Sequence, residues 1–220
     1  MKNYKKSKKA FSLIELSIVL IIIGIIISAV MNSGDIIKSG ESKQFYQTFA
    51  RKWTTVLDSY YDRMGSELGD SSLHGGIETT KDGYFDGIVV EVNTIENIKN
   101  SGINLDRVIT TNQDISSKYI IEGEDSGYQI VEIYLGAYIL NDTRYNFMIL
   151  KNIPIDIALT IDRYVDSVSD GKDGNAIAIQ KSVTDNTLPD NLSDITSLGL
   201  GYSEINTVTK TTNLGIMLEH

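Results

Sequence analysis

From Leu16 to Gly34 the chain carries no charged residue. A helix through this stretch approaches the roughly 20 apolar residues that a bilayer core demands. No polar face interrupts it after Glu15, whereas a helix packed on a soluble core would keep one. The segment therefore reads as membrane-spanning. Before it, Met1–Ala10 holds Lys2, Lys5, Lys6, Lys8 and Lys9 and no acid, a flank that keeps its end in the cytoplasm and sends the remainder outward. A cleaved secretory signal is the rival reading. Such signals have an apolar region of about 7–15 residues and end at a small-x-small site, while this run is longer and grades into an amphipathic helix.

Composition narrows what the exported part can do. The chain has 20 Lys+Arg against 29 Asp+Glu, no cysteine and two histidines, His74 and His220. With a net charge of −9, five of the 20 cations in the N-terminal flank and the remainder more acidic still, nucleic acid is excluded as the main partner. Without cysteine there is no disulfide framework, thiolate nucleophile or cysteine metal site. A Ser–His–Asp site would have to use His74, which lies in a Gly/Ser-flanked loop. No Walker loop, dinucleotide glycine pattern, HExxH or GxSxG occurs. The expectation is a protein that is not an enzyme and has no cofactor.

Beyond the apolar run, Tyr46, Phe49, Trp53, Val56/Leu57, Tyr60 and Met64 recur at steps of three and four, one face of an α-helix. The pattern predicts a continuous helix from about Phe11 to Leu68, on the order of 85 Å long at 1.5 Å per residue. It is expected to stop between Gly65 and Gly69, before a polar loop. Gly24, Gly34 and Gly40 are weak points along it, each costing about 1 kcal/mol relative to Ala. From Gly76 onward, short segments rich in β-branched and aromatic residues read as strands: Gly87–Val92, Lys118–Glu122, Tyr128–Tyr134, Tyr145–Leu150 and Ala176–Gln180. Asn141-Asp-Thr reads as a hairpin turn, Pro154 as the start of a helix of about three turns, and Ser182–His220 as loops with a strand or two. The predicted class is α+β: a long N-terminal helix, membrane-spanning in its first half and amphipathic in its second, packed on a mostly antiparallel sheet. The expected divisions are 1–10, 11–33, 34–68 and 69–220.

The lysine-rich leader, the small Ala10, and Phe11-Ser-Leu-Ile-Glu15 followed by an unbroken apolar stretch resemble the prepilin signal of type IV pilins and type II secretion pseudopilins. The resemblance is specific over about Met1–Val30. It implies cleavage between Ala10 and Phe11 by a prepilin peptidase and methylation of the new Phe11 amino group. Glycine is the commoner residue before the cut; alanine stands here. It also implies other pilin or pseudopilin subunits, an inner-membrane assembly platform and membrane lipid as partners. The location implied is an inner-membrane precursor with its N-terminus cytoplasmic and its head periplasmic, and then a filament. In this family the helix partly melts near an interior glycine, and Gly24 is the matching position.

Glu15 is the one acid in the apolar stretch. At mid-bilayer a carboxylate costs up to about 3 kcal/mol, which makes it a functional candidate, unless it lies near enough to the surface to stay hydrated. Once the leader is removed, the Phe11 amine of a neighbouring copy would neutralise it and set the axial stagger between subunits. In the head, Asp162, Asp166, Asp170 and Asp173 invite a calcium reading. A calcium-loop frame starting at Asp166 puts Val168 and Ile177 at ligand positions, so the segment reads as a solvated turn and no metal is expected. Two functions remain. One is a structural filament subunit, better matched to a minor or tip role than to the major shaft. The other is a single-pass membrane-anchored binding or enzymatic domain that does not polymerise.

Overall fold

The computed structural model describes residues 13–105 (29–37 by their backbone), 117–168, 170–172, 174–182, 185–195, 202 and 210–218. The chain forms two compact units, Met1–Glu41 and Ser42–His220. The first helix, α1, runs Leu13–Phe45. In the first unit its apolar residues are spread around the whole circumference, and every large one from Leu13 (87% exposed) to Ile27 (53%) faces outward. Ser17 turns its hydroxyl back on the helix and donates to the carbonyls of Leu13 (2.9 Å) and Ile14 (3.0 Å), hiding the one hydroxyl in that stretch. Among the described residues no helix is long and apolar enough to cross a membrane. Side chains along the apolar run are described from Leu13 to Ser28, fewer than the roughly 20 a span requires.

The second unit begins with the end of α1, continues through a π-helical turn at Tyr46–Ala50, and then follows α2 (Arg51–Met64). The predicted stripe is buried: Phe49, Trp53, Val56, Leu57 and Tyr60 are each 1% exposed or less. Phe45, outside the predicted stripe, joins them, while Met64 at its far end is 44% exposed. The π turn is a departure from the expected continuous α-helix, and the spacing explains it. Phe45, Phe49 and Trp53 follow one another in steps of four, and at 100° per residue each step over-rotates by about 40°. One wider i→i+5 turn takes back the excess and keeps the three rings on one face. Gly65 then ends the helix in the left-handed conformation (φ 60°), its N–H bonding the Tyr61 carbonyl at 2.8 Å, as the expected stop requires.

The stripe packs on a six-stranded antiparallel sheet of β1 (Ile88–Val89), β2 (Lys118–Gly123), β3 (Gly127–Leu140), β4 (Thr143–Pro154), β5 (Ala176–Ala178) and β6 (Thr211–Met217). The order is β1-β3-β4-β6-β5, with β2 also beside β3. The long β3–β4 hairpin is its spine. Asn141 and Asp142 both have positive φ (51° and 62°) between the paired Leu140 and Thr143, the two-residue geometry that matches strand twist. Val131, Ile133, Leu135, Met148 and Leu150 meet the helical stripe and α4 (Ile155–Asp166), whose entry is Pro154 as predicted. The opposite face carries Tyr138, Phe147, Ile149, Ile177, Ile179 and Ile195.

Two expectations change. Gly87–Val92 is not one strand: pairing stops at Val89, and Val92, 77% exposed, opens a helix, α3 (Val92–Asn100). Only Ile98 and Thr94 of α3 are fully buried, too few to show a period. The predicted strands are parts of longer ones: Tyr128–Tyr134 is the first half of β3 and Tyr145–Leu150 the middle of β4. In the tail, expected to hold a strand or two, β6 lies between β4 and β5 with Asn213 and Gly215 inside it. A Cβ on Gly215 would come within 2.4 Å of Ile179, so the glycine is what lets that side chain close over the strand.

Phe49 is fully buried and stacks on Phe45 at 5.4 Å between centroids. Phe49→Ala is expected to cost about 3–5 kcal/mol, read as a drop in the denaturant midpoint of the full chain in detergent with the slope unchanged.

Candidate functional site

Two regions of the chain carry chemistry beyond packing. At the N-terminus, the residues expected to be processed, Ala10 and Phe11, lie outside the described residues. Glu15 is in the first turn of α1 and exposed. An acid there is favourable toward the helix N-terminal dipole. Gly24 lies mid-helix, and a Cβ built on it would meet no atom within 4 Å. Among the described residues no neighbour requires glycine at that position, where it is a local weakness in the helix.

In the head, buried polar side chains hold the long connection from α2 to β1. Asp70, fully buried, accepts the N–H groups of Asp82 (2.9 Å) and Gly83 (3.1 Å) and the Ser66 hydroxyl (3.2 Å). Asp86 takes the N–H groups of Ile77 and Glu78, both at 2.7 Å, through one oxygen. Asn146 on β4 accepts from the Phe85 N–H (3.0 Å) and donates to the Gly83 carbonyl (2.9 Å). Asn191 donates to the Phe85 carbonyl (2.9 Å) and accepts the Ala137 N–H (2.7 Å). Buried backbone groups must be paired, and these side chains do it where no strand ladder can. None of the four had a sequence signal, since each serves residues remote in the chain or irregular in conformation.

The Asp/Gly segment after α4 is a turn of the same kind. Asp162 accepts the Gly171 N–H (3.0 Å), Asp166 accepts those of Asn175 (2.9 Å) and Ala176 (2.8 Å), and Asp170 accepts that of Lys172 (2.9 Å). Asp173 lies outside the described residues. Among the described residues no group of three or more metal-ligating side chains gathers. His74 sits in a 3₁₀ turn (Ser72–His74), and its Nδ1 is hydrogen-bonded to the Tyr60 hydroxyl at 3.0 Å.

Among the described residues four acids are displaced in their titration: burial raises Asp86 against the N–H groups of Glu78 and Ile77, hydrogen bonds from Thr187 lower Asp185, and Glu67 and Asp162 move furthest. Burial, reinforced by Asp70 and Asp58, pushes the Glu67 carboxyl up to about 8. Burial raises Asp162 to about 7 against the opposing Gly171 N–H, with Asp166 and Asp170 adding to the rise. Both groups ionise near 4 when unfolded, so between that pH and their folded values the folded chain holds the extra protons. Their stabilising effect is complete below pH 4 and is lost as pH rises through 7 and 8. The melting temperature of the full chain in detergent is expected to fall from pH 5 to pH 8.5, and Glu67→Gln to flatten that slope. A slope unchanged by Glu67→Gln would contradict the assignment.

Comparison with known proteins bears on the N-terminal region. No curated protein and no solved structure matches the chain. Residues 5–31 match the family described as the prokaryotic N-terminal methylation motif. That interval contains Ala10, Phe11, Glu15 and Gly24, and it overlaps α1 from Leu13, where the large apolar residues to Ile27 face outward. Such a signal implies processing by prepilin peptidase and assembly with other pilin subunits. Ahead of a head built on a six-stranded antiparallel sheet, the chain thus carries at residues 5–31 the N-terminal methylation motif, the prepilin signal of type IV pilins and pseudopilins.

Proposed function

We propose that the chain is a structural subunit of a type IV pilus or a type II secretion pseudopilus, with a minor or tip role rather than the major shaft, and that it is not an enzyme. Prepilin peptidase cuts between Ala10 and Phe11, and Phe11 is methylated. Before assembly the subunit spans the inner membrane once, with its leader cytoplasmic and its head periplasmic. It then passes through the assembly platform into a filament. The observation that carries this reading is the methylation motif at residues 5–31 on a helix with no polar face. Such a helix needs lipid before assembly and other helices after it.

In this reading Glu15 sets the axial stagger by pairing with the Phe11 amine of a neighbour, and copies related by a non-closing rotation extend the fibre. Gly24 supports it as well, since no neighbour among the described residues requires its glycine. A local weakness there would let the helix loosen as it moves from lipid into a helical stack. Size and the Asp/Gly turn of the head favour the minor or tip role.

Mass spectrometry of native material is expected to find Phe11, methylated, at the N-terminus, with the protein present in sheared filaments. Intact Met1 and no filament association would instead establish a membrane-anchored head that does not polymerise. Glu15→Ala is expected to insert in the membrane normally and to reduce filament incorporation at least tenfold. Normal incorporation of that variant would remove the pairing role while leaving the processing result to stand on its own.

A further inference from the structure

The head contains a cleft of about 610 Å³ between the end of α2, the 65–84 loop, the start of β4 and the end of β6. Three tyrosines line it, Tyr61, Tyr84 and Tyr145. Its charged groups are of both signs: Lys81 and Arg144 face the same space as Asp82. The Arg144 guanidinium lies over the Tyr84 ring at 5.5 Å from the centroid, and the Lys81 ammonium donates to the Gly65 carbonyl at 2.7 Å. Both cations are thus held in place at the cleft.

The wall is built to keep its shape. Residues 82–85 are fixed through their backbone by Asp70 from one side and Asn146 from the other, four hydrogen bonds of 2.9–3.1 Å. The same loop leaves the side chains of Lys81 and Asp82 exposed and Tyr84 half-buried. A loop clamped by buried groups while its side chains face open space is preorganised for contact with something outside it.

The chemistry of the lining selects the ligand. Mixed charge at close quarters favours neither a polyanion nor a polycation. Tyrosine rings offer flat apolar faces edged with hydroxyls, suited to a ligand that is apolar on its ring faces and polar around its rim. Carboxylate, ammonium and guanidinium groups beside them accept from and donate to hydroxyl groups. The volume is in the range of small-ligand sites. We propose that this cleft binds a neutral saccharide, its rings against the tyrosines and its hydroxyls bonded by Asp82, Lys81 and Arg144. The site lies wholly in the head and does not depend on whether copies assemble.

The test uses the full chain in a zwitterionic detergent, since sugar-headed detergents would compete. Saturation-transfer NMR is run with lactose, cellobiose, maltose, mannobiose and chitobiose. At least one is expected to receive saturation, and Tyr84→Ala to weaken its binding at least tenfold. Tyr128→Ala, on the exposed face of the β2–β3 hairpin, is expected to leave binding unchanged. Should Tyr84→Ala lose its cooperative melt, Arg144→Gln on the surface takes its place with the same expected loss. No transfer to any of the five sugars, or transfer that the cleft variants leave intact, overturns the proposal.

Discussion

Burial of one helical stripe against the β3–β4 hairpin is the interaction from which the head is organised. Phe45, Phe49, Trp53, Leu57 and Tyr60 are each worth roughly 1.5–3 kcal/mol when removed from water, and all lie in a single cluster with the inward residues of the two longest strands. Helix phase decides whether they can do so together. An unbroken α-helix would set Phe45 and Trp53 about 80° apart around the axis, and the π turn at Tyr46–Ala50 brings them back into line. With the stripe in phase, β3 and β4 have a partner on one face. The other face can then be closed by Ile177, Ile179 and Ile195 from the chain that follows.

Much of the head is irregular, and there the organising force is different. The stretch from Gly65 to Gly87 includes only a short 3₁₀ turn, yet Ser66, Glu67, Leu68, Asp70 and Phe85 are all buried. Asp70, Asp86, Asn146 and Asn191 make this tolerable by satisfying backbone groups that strand pairing leaves unmet. The cost appears at Glu67, a carboxyl placed among other acids away from water, which keeps its proton well above the usual carboxylate range. The same clamps give the cleft a firm wall.

What the sequence revealed follows the range of the forces involved. The apolar stripe, the Asn141-Asp142 turn, the glycine stop after Met64 and the helix entry at Pro154 all depend on near neighbours and could be read directly. Strand β6 could not, because Asn213 is kept inside the sheet by partners far away in the chain. Its side chain donates to the carbonyls of Ile179 (3.1 Å) and Asn186 and accepts the Asn152 N–H (3.0 Å). Helix α3 was hidden because too few of its residues touch the core. At the N-terminus legibility ran the other way: a run of apolar residues, one acid and a lysine leader hold their meaning without any tertiary contact. The cleft had no sequence signal, since its tyrosines come from three separate stretches of chain.

The reliance on amide-to-carboxylate clasps also determines how such a head matures. Having no cysteine, it owes nothing to oxidising enzymes, and reductants leave its fold untouched. A covalent staple, once snapped, waits for a catalyst to mend it. Clasps of this type are hydrogen bonds, which re-form without any catalyst once their partners meet again.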